Sequence, residues 1–221
     1  EENLFPHQDA LAQLHENRPL SEKLNFLHQL IREDFPFIDR LAIALLDEKT
    51  STLKTYTHST DDGNSPITAY EASLDSAPSL LEIIKRRRPR LVQDLAIFNK
   101  GAHQHTKLIA AKGYKASYTM PLYQSGVFVG FLFFNSYESH PFLPPILRQI
   151  DIYGHLIALM VISELTAIRT LLSAVKAARS MTHYRDVETG SHVDRTAHYA
   201  RLIAKELAQR YQLRDEQIEH I

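Results

Sequence analysis

Val127-Phe-Val-Gly-Phe-Leu-Phe-Phe134 carries the strongest β signal in the chain. Its β-branched and aromatic residues fit a pleated, buried surface. Just upstream, Ala116–Leu122 reads as a second strand, and Tyr123-Gln-Ser-Gly126 supplies the turn between them. A second pair lies nearer the N-terminus. Arg40-Leu-Ala-Ile-Ala-Leu-Leu46 is too continuously apolar for a half-exposed strand and reads as a central one. Asp47-Glu-Lys-Thr50 turns the chain into the alternating Thr52-Leu-Lys-Thr-Tyr-Thr-His58, so these two runs form a hairpin.

Helical periods surround and separate the hairpins. From Leu20-Ser21 a helix is expected, with Ser21 as N-cap, Leu24, Leu27, His28 and Ile31 on one face, and Pro36 as its stop. Residues 1–19 form a polar lead-in broken by Pro6 and Pro19. Asp61-Asp-Gly-Asn-Ser-Pro66 is the clearest loop. Ser79–Arg88 is a helix with Leu80, Leu81, Ile83 and Ile84 on its apolar side, ended by Pro89. Leu91-Val-Gln-Asp94 is a short strand, and residues 96–112 read as either helix or loop. From Pro144 to about Ala178 the period is helical again. There Ala158, Val161, Leu165, Ile168, Leu172 and Val175 are spaced 3-4-3-4-3. Such a seam is buried either against the domain's own sheet or, beyond Leu165, against a second copy. Locally paired strands between helices define an α+β class.

Composition narrows function further. With 44% apolar and 23% charged residues the chain has the make-up of a folded globular protein rather than a disordered one. Its formal net charge of −1 creates no field that would gather nucleic acid. The run Lys85-Arg-Arg-Arg-Pro-Arg90 sits at a helix end, where cations complement the dipole, and reads as a solvated face. Lacking cysteine, the chain has no disulfide, thiolate nucleophile or Cys-type metal site. No uninterrupted apolar run approaches the length of a membrane span, the longest being Leu156–Ile162.

The residues from Ser73-Leu74 to Pro89-Arg90-Leu91-Val92-Gln93-Asp94, then Gly113-Tyr-Lys-Ala-Ser117, Met120-Pro121-Leu122, Gly126-Val-Phe-Val-Gly130-Phe-Leu and Phe142, together resemble a GAF domain. The resemblance implies a GAF-like antiparallel sheet flanked by helices over residues 20–160 and an unknown small-molecule ligand. A bilin held through a thioether is excluded by the missing cysteine, and Asn99-Lys100 leads into Gly101-Ala-His rather than a cyclic-nucleotide signature. Tyr56, Tyr70 and Tyr118 are candidates for lining a pocket, or for ordinary packing. His103 and His105 are candidate ligands for haem or a metal, or solvated loop residues.

The C-terminal chemistry concentrates in Tyr184-Arg-Asp-Val-Glu-Thr-Gly-Ser-His-Val-Asp-Arg195. On a helix, Glu188 and His192 stand one turn apart on one face. That pair either grips a divalent ion such as Fe, Mn or Zn or makes a surface hydrogen bond. The string Arg185-Asp186-x-Glu188-Thr189-Gly190-x-His192-x-x-Arg195 resembles the opening of an HD-GYP domain, the cyclic-di-GMP phosphodiesterase branch of its superfamily. The resemblance implies that Glu188 and His192 are metal ligands, with Asp186 and Arg185 orienting them or packing. The following Ala197–Ala208 helix is expected to turn Tyr199, Leu202, Ile203 and Leu207 inward.

The combined expectation is a sensory module (20–160), a coiled-coil-like linker helix (161–182) and the truncated start of an all-α HD-GYP domain (183–221). The module would regulate an attached phosphodiesterase from the cytoplasm, as a homodimer joined along Val161, Leu165, Ile168, Leu172 and Val175. A non-catalytic dimerising scaffold with a degenerate HD-GYP domain is the alternative. As two ligands cannot hold the two or three metals of such a centre, this stretch by itself is expected to be inactive.

Overall fold

The computed structural model describes residues 9–47, 50–61, 71–98, 109–183, 187–208 and 210–211. The strands are β1 (Arg40–Asp47), β2 (Thr52–Thr60), β3 (Glu71–Ser73), β4 (Arg90–Val92), β5 (Ala116–Gln124) and β6 (Val127–Ser136). They form one sheet in the order β3-β2-β1-β6-β5-β4, with every neighbouring pair antiparallel. The two most apolar runs, β1 and β6, take its centre, where both faces are covered. β3 escaped the sequence reading because three residues give too short a pattern to show a period. Around the sheet lie α1 (Leu20–Asp34), α2 (Pro78–Arg86) and α3 (Pro144–His183), and α4 (Val187–Leu207) follows.

The β5–β6 turn is tighter than expected. Gln124 pairs with Val127, leaving Ser125 (φ 50°) and Gly126 (φ 81°) as the whole loop. Both have positive φ, as the two-residue turn matching strand twist requires. Gly130 is fixed by close approach, since a Cβ there would lie 2.2 Å from the Ala44 carbonyl oxygen.

The helical layer packs on one face. Leu24, Leu27 and Ile31 of α1 and Ile150, Ile157 and Val161 of α3 close over Leu41, Ile43, Leu132 and Phe134. Phe134 is fully buried, and such burial stabilises by about 1.5–3 kcal/mol. α1 begins one residue before the expected cap: Pro19 is the N-cap, and Ser21 lies buried inside the first turn. Its preset φ suits a helix entry.

Two buried polar side chains on this face are tied down by hydrogen bonds, while Nη1 of Arg32 on α1 has its ion pair with Asp61 alone. His28 Nε2 donates to the Ile38 carbonyl (2.9 Å), so Nδ1 accepts from the Ser59 hydroxyl (2.7 Å). That fixes the neutral tautomer, and burial pushes its pKa down. The Tyr118 hydroxyl donates to Asp151 of α3 at 2.5 Å.

α3 runs 40 residues, about 60 Å, without a break. Its stripe Ile150, Gly154, Ile157, Val161 is buried, Leu165 and Ile168 are half-buried, and Leu172 and Val175 are exposed. A Cβ on Gly154 would meet Met120 Sδ at 2.3 Å, so glycine lets α3 sit close to β5. Gln124 makes the last tether, bonding Thr166 Oγ1 (2.8 Å) and accepting from Arg169 (2.9 Å). Contrary to expectation, Pro144–Ala178 is long and apolar enough to cross a membrane by length and composition, with mean hydropathy 1.7. Counting uninterrupted apolar residues missed it, because Gly154, His155 and Ser163 break the run without making it polar. Ile150, Ile157 and Val161 lie in the sheet's core, which accounts for part of that apolar content.

Candidate functional site

The opposite face of the sheet has a different chemistry. Strand register lines up rows of side chains across it, because residues paired across a sheet share a face. The first row is Thr60, Arg40, Asn135, Ser117 and Val92, running from β2 through β1, β6 and β5 to β4. A second row holds His58, Ala42, Phe133, Thr119 and Arg90. The third, with Thr55, Ala44, Phe131 and Pro121, is nearly apolar. Polarity therefore falls along the strands, and Arg40 marks the polar end. Leu80 and Ile83 of α2, with Leu74 and Ala77, cover the apolar part, while Val92, Leu95, Ile109 and Tyr114 form a smaller cluster.

Arg40 is only 3% exposed. Its Nη1 donates to Asn135 Oδ1 (3.0 Å), and Asn135 Nδ2 in turn donates to Ser117 Oγ (3.0 Å). Its Nε has no hydrogen-bond partner, and among the described residues no carboxylate pairs with it. Burial pushes the guanidinium below the ordinary arginine range, and the nearby Tyr114 and Tyr137 act the other way. A buried arginine without a counter-charge is rare in folded proteins. Two neighbours share the condition: the Thr60 hydroxyl is buried with no hydrogen bond, and the Tyr114 hydroxyl, close to that of the stacked Tyr137, meets no partner at hydrogen-bond geometry. Tyr114 stacks on Tyr137 at 4.4 Å, its ring nearly parallel. Burial first, and Tyr137 second, push its hydroxyl pKa up, so it is a neutral donor. Burial and the Arg40 charge hold His58 below the usual histidine range, so it is neutral as well. Beside β4, a groove of about 500 Å³ is lined by residues including Ile83, Arg86, Arg88 and Arg90.

The residues singled out by sequence are scattered relative to this face. Tyr56 and Tyr118 lie on the other side, in the helical core, where Tyr56 is the unopposed residue of a β-bulge and Tyr118 holds Asp151. The tyrosine beside the polar row is Tyr114, which sequence reading passed over. Tyr70, His103, His105, Arg185 and Asp186 lie outside the described residues. Glu188 and His192 fall on α4 four residues apart, as a shared face requires. The His192 side chain is exposed, and the Glu188 side chain lies outside the described residues. Among the described residues no three His, Asp or Glu come together to hold a metal ion. Tyr199 (58%), Leu202 (48%) and Ile203 (58%) are exposed, against the inward orientation expected of them. Leu207, the fourth of that set, is half-buried.

Arg40 and Asn135 were legible only as strand ends. The available signal was a charged residue heading an apolar run, a position where a solvated end and a buried cation look alike in sequence.

No family model matches the chain, and no curated protein matches it in sequence. Solved structures do match in fold. The GAF domain of an Acinetobacter phosphoenolpyruvate-protein phosphotransferase aligns with a TM-score of 0.51 at 12% identity, over 72% of this chain and 92% of that one. The phycocyanobilin-bound GAF domain of a cyanobacterial phytochrome gives 0.53 at 15%, over 69% and 89%. Free methionine-R-sulfoxide reductase from Neisseria meningitidis, in complex with its substrate, gives 0.54 at 11%, over 72% and 87%. The chain therefore has a GAF-like α+β fold, the class its strand and helix order implied and the family fold its residues resembled.

Proposed function

We propose that this chain is a sensory module whose GAF-like domain binds a small molecule and controls an attached HD-GYP cyclic-di-GMP phosphodiesterase through α3. The observation that carries the reading is continuity: α3 is packed on the sheet at Ile150 and Val161 and runs unbroken to His183, one residue before the Tyr184–Arg195 string. A rigid helix that leaves a ligand-binding domain and enters a catalytic one is a route by which two packings can be exchanged. The exposed Leu172 and Val175 supply the seam for a parallel pair of such helices, and the chain acts as a homodimer in the cytoplasm. Structural neighbours bound to a bilin or to a substrate support a small-molecule ligand here. Without cysteine, that ligand is held non-covalently or through other side chains.

Glu188 and His192 are the metal ligands this chain contributes. When bound, Fe or Mn would activate water and neutralise the phosphodiester. The residues of this stretch hold at most part of such a centre, so with Mn it should convert no cyclic-di-GMP above a metal-only blank. A chain extended through a whole HD-GYP domain should convert it to the linear dinucleotide, and Glu188→Gln or His192→Asn should abolish turnover. Removing residues 20–160 should change that rate. An extended chain without turnover, or a rate indifferent to the sensor domain, would overturn the reading.

A further inference from the structure

Three buried groups at the polar end of the sheet face toward α2 lack partners, and Arg40 adjoins the other two. Arg40 and Thr60 are paired across β1 and β2, and Tyr114 is near enough to Arg40 to feel its charge. Each of these groups is a hydrogen-bond donor: Arg40 Nε, Thr60 Oγ1 and Tyr114 Oη. Buried donors left unmade cost free energy, and a fold keeps them where something else completes the set. Arg40 and Thr60 share a row with Asn135 and Ser117, which already bond each other and hold Nη1 of Arg40 in place. A guanidinium oriented in this way presents its remaining edge in a fixed direction.

We propose that Arg40, with the Thr60 and Tyr114 hydroxyls, anchors the carboxylate of a small monoanionic ligand in the GAF-like domain. This rests on the sensor reading above and adds the ligand's chemical class. Carboxylate is favoured over phosphate by charge balance. Arg40 is the single cation of the first row, the polar rows hold no carboxylate, and the second row's Arg90 stands three strands away on β4. One buried positive charge matches one negative charge, whereas a phosphate dianion would bring a second charge with no counterpart.

The test is a thermal-shift and calorimetric titration of the whole chain. Its probes are acetate, pyruvate and benzoate, each against its neutral amide, with inorganic phosphate alongside. At least one carboxylate should raise the melting temperature with concentration while its amide and phosphate do not. Arg40→Met should abolish that response, and Thr60→Val should weaken binding about five- to tenfold, the worth of one hydrogen bond. Arg40→Met also leaves Asn135 Oδ1 without its donor, so the response is read against the variant's own ligand-free melting temperature. A carboxylate response that survives Arg40→Met, or an equal response to phosphate, overturns the proposal. If a mixture of neutral amides and nucleosides binds while no carboxylate does, the carboxylate site is wrong and the sensor reading stands. If neither class binds, both fall.

Discussion

The two faces of the sheet bury similar numbers of polar groups to opposite ends. Toward α1 and α3, both ring nitrogens of His28 are engaged, and Tyr118 is held by Asp151. Toward α2, Arg40 Nε, Thr60 Oγ1 and Tyr114 Oη have nothing to bond. The same strands and the same twist underlie both faces, so the difference lies in what packs against each. Satisfied polar groups lock a helical layer to a sheet. Unsatisfied ones are tolerated where a ligand supplies the missing acceptor.

A matched pair of substitutions puts the largest strain on that contrast. Tyr118→Phe removes a donor from Asp151 and should destabilise the chain by about 1–2 kcal/mol, since hydrogen bonds to charged groups are worth more than neutral ones. Tyr114→Phe removes a hydroxyl with no partner, so it should be neutral or slightly stabilising in the ligand-free chain. Chemical denaturation of both variants checks this. Equal losses would mean that the two faces are built alike.

How much of this was readable beforehand follows from period and length. β1 and β6 announced themselves as central strands because covered faces allow continuous apolar runs, and both hairpins followed from the turns between them. The α2 helix was recovered to within two residues, its true end at Arg86 set by Arg87 in the left-handed region rather than by Pro89. The site was not readable. Which tyrosine faces which side depends on the β-bulge between Ile43 and Ala44, where Tyr56 is inserted and the alternation shifts. No count of alternating residues reveals such a shift. Arg40 likewise becomes meaningful only once register places it beside Thr60 and Asn135.

A smaller effect separates the faces by pH. Burial lowers the pKa of both His28 and His58 from the usual 6.5. The unfolded chain then binds more protons than the folded one as pH falls below 6.5, so stability is full above that value and declines toward each folded pKa. Histidine titration by NMR should find both midpoints below 6.5. Arg40→Met should raise the midpoint of His58, whose second perturbing influence is the Arg40 charge, and leave His28, which answers to Arg32 and Asp61, where it was. A His58 midpoint unmoved by Arg40→Met would place the guanidinium elsewhere.

The smallest expected change in stability comes where α3 has left both faces behind. Leu165 still packs on the helical core, whereas Leu172 is 49% exposed less than one turn beyond the Gln124 tether at Arg169. Glutamate at Leu172 meets water in a monomer, so its effect on monomer stability should stay within about 0.5 kcal/mol. In a dimer paired along the seam it would place two like charges face to face, and light scattering should then show the mass fall to one chain. Leu165→Glu should lower the melting temperature as well as the mass, because it injures the core and the seam together. A chain that keeps twice its mass with Leu172→Glu and Val175→Glu combined does not dimerise here. The exposed stripe would then need another partner, and α3 could not transmit by re-pairing with its own copy.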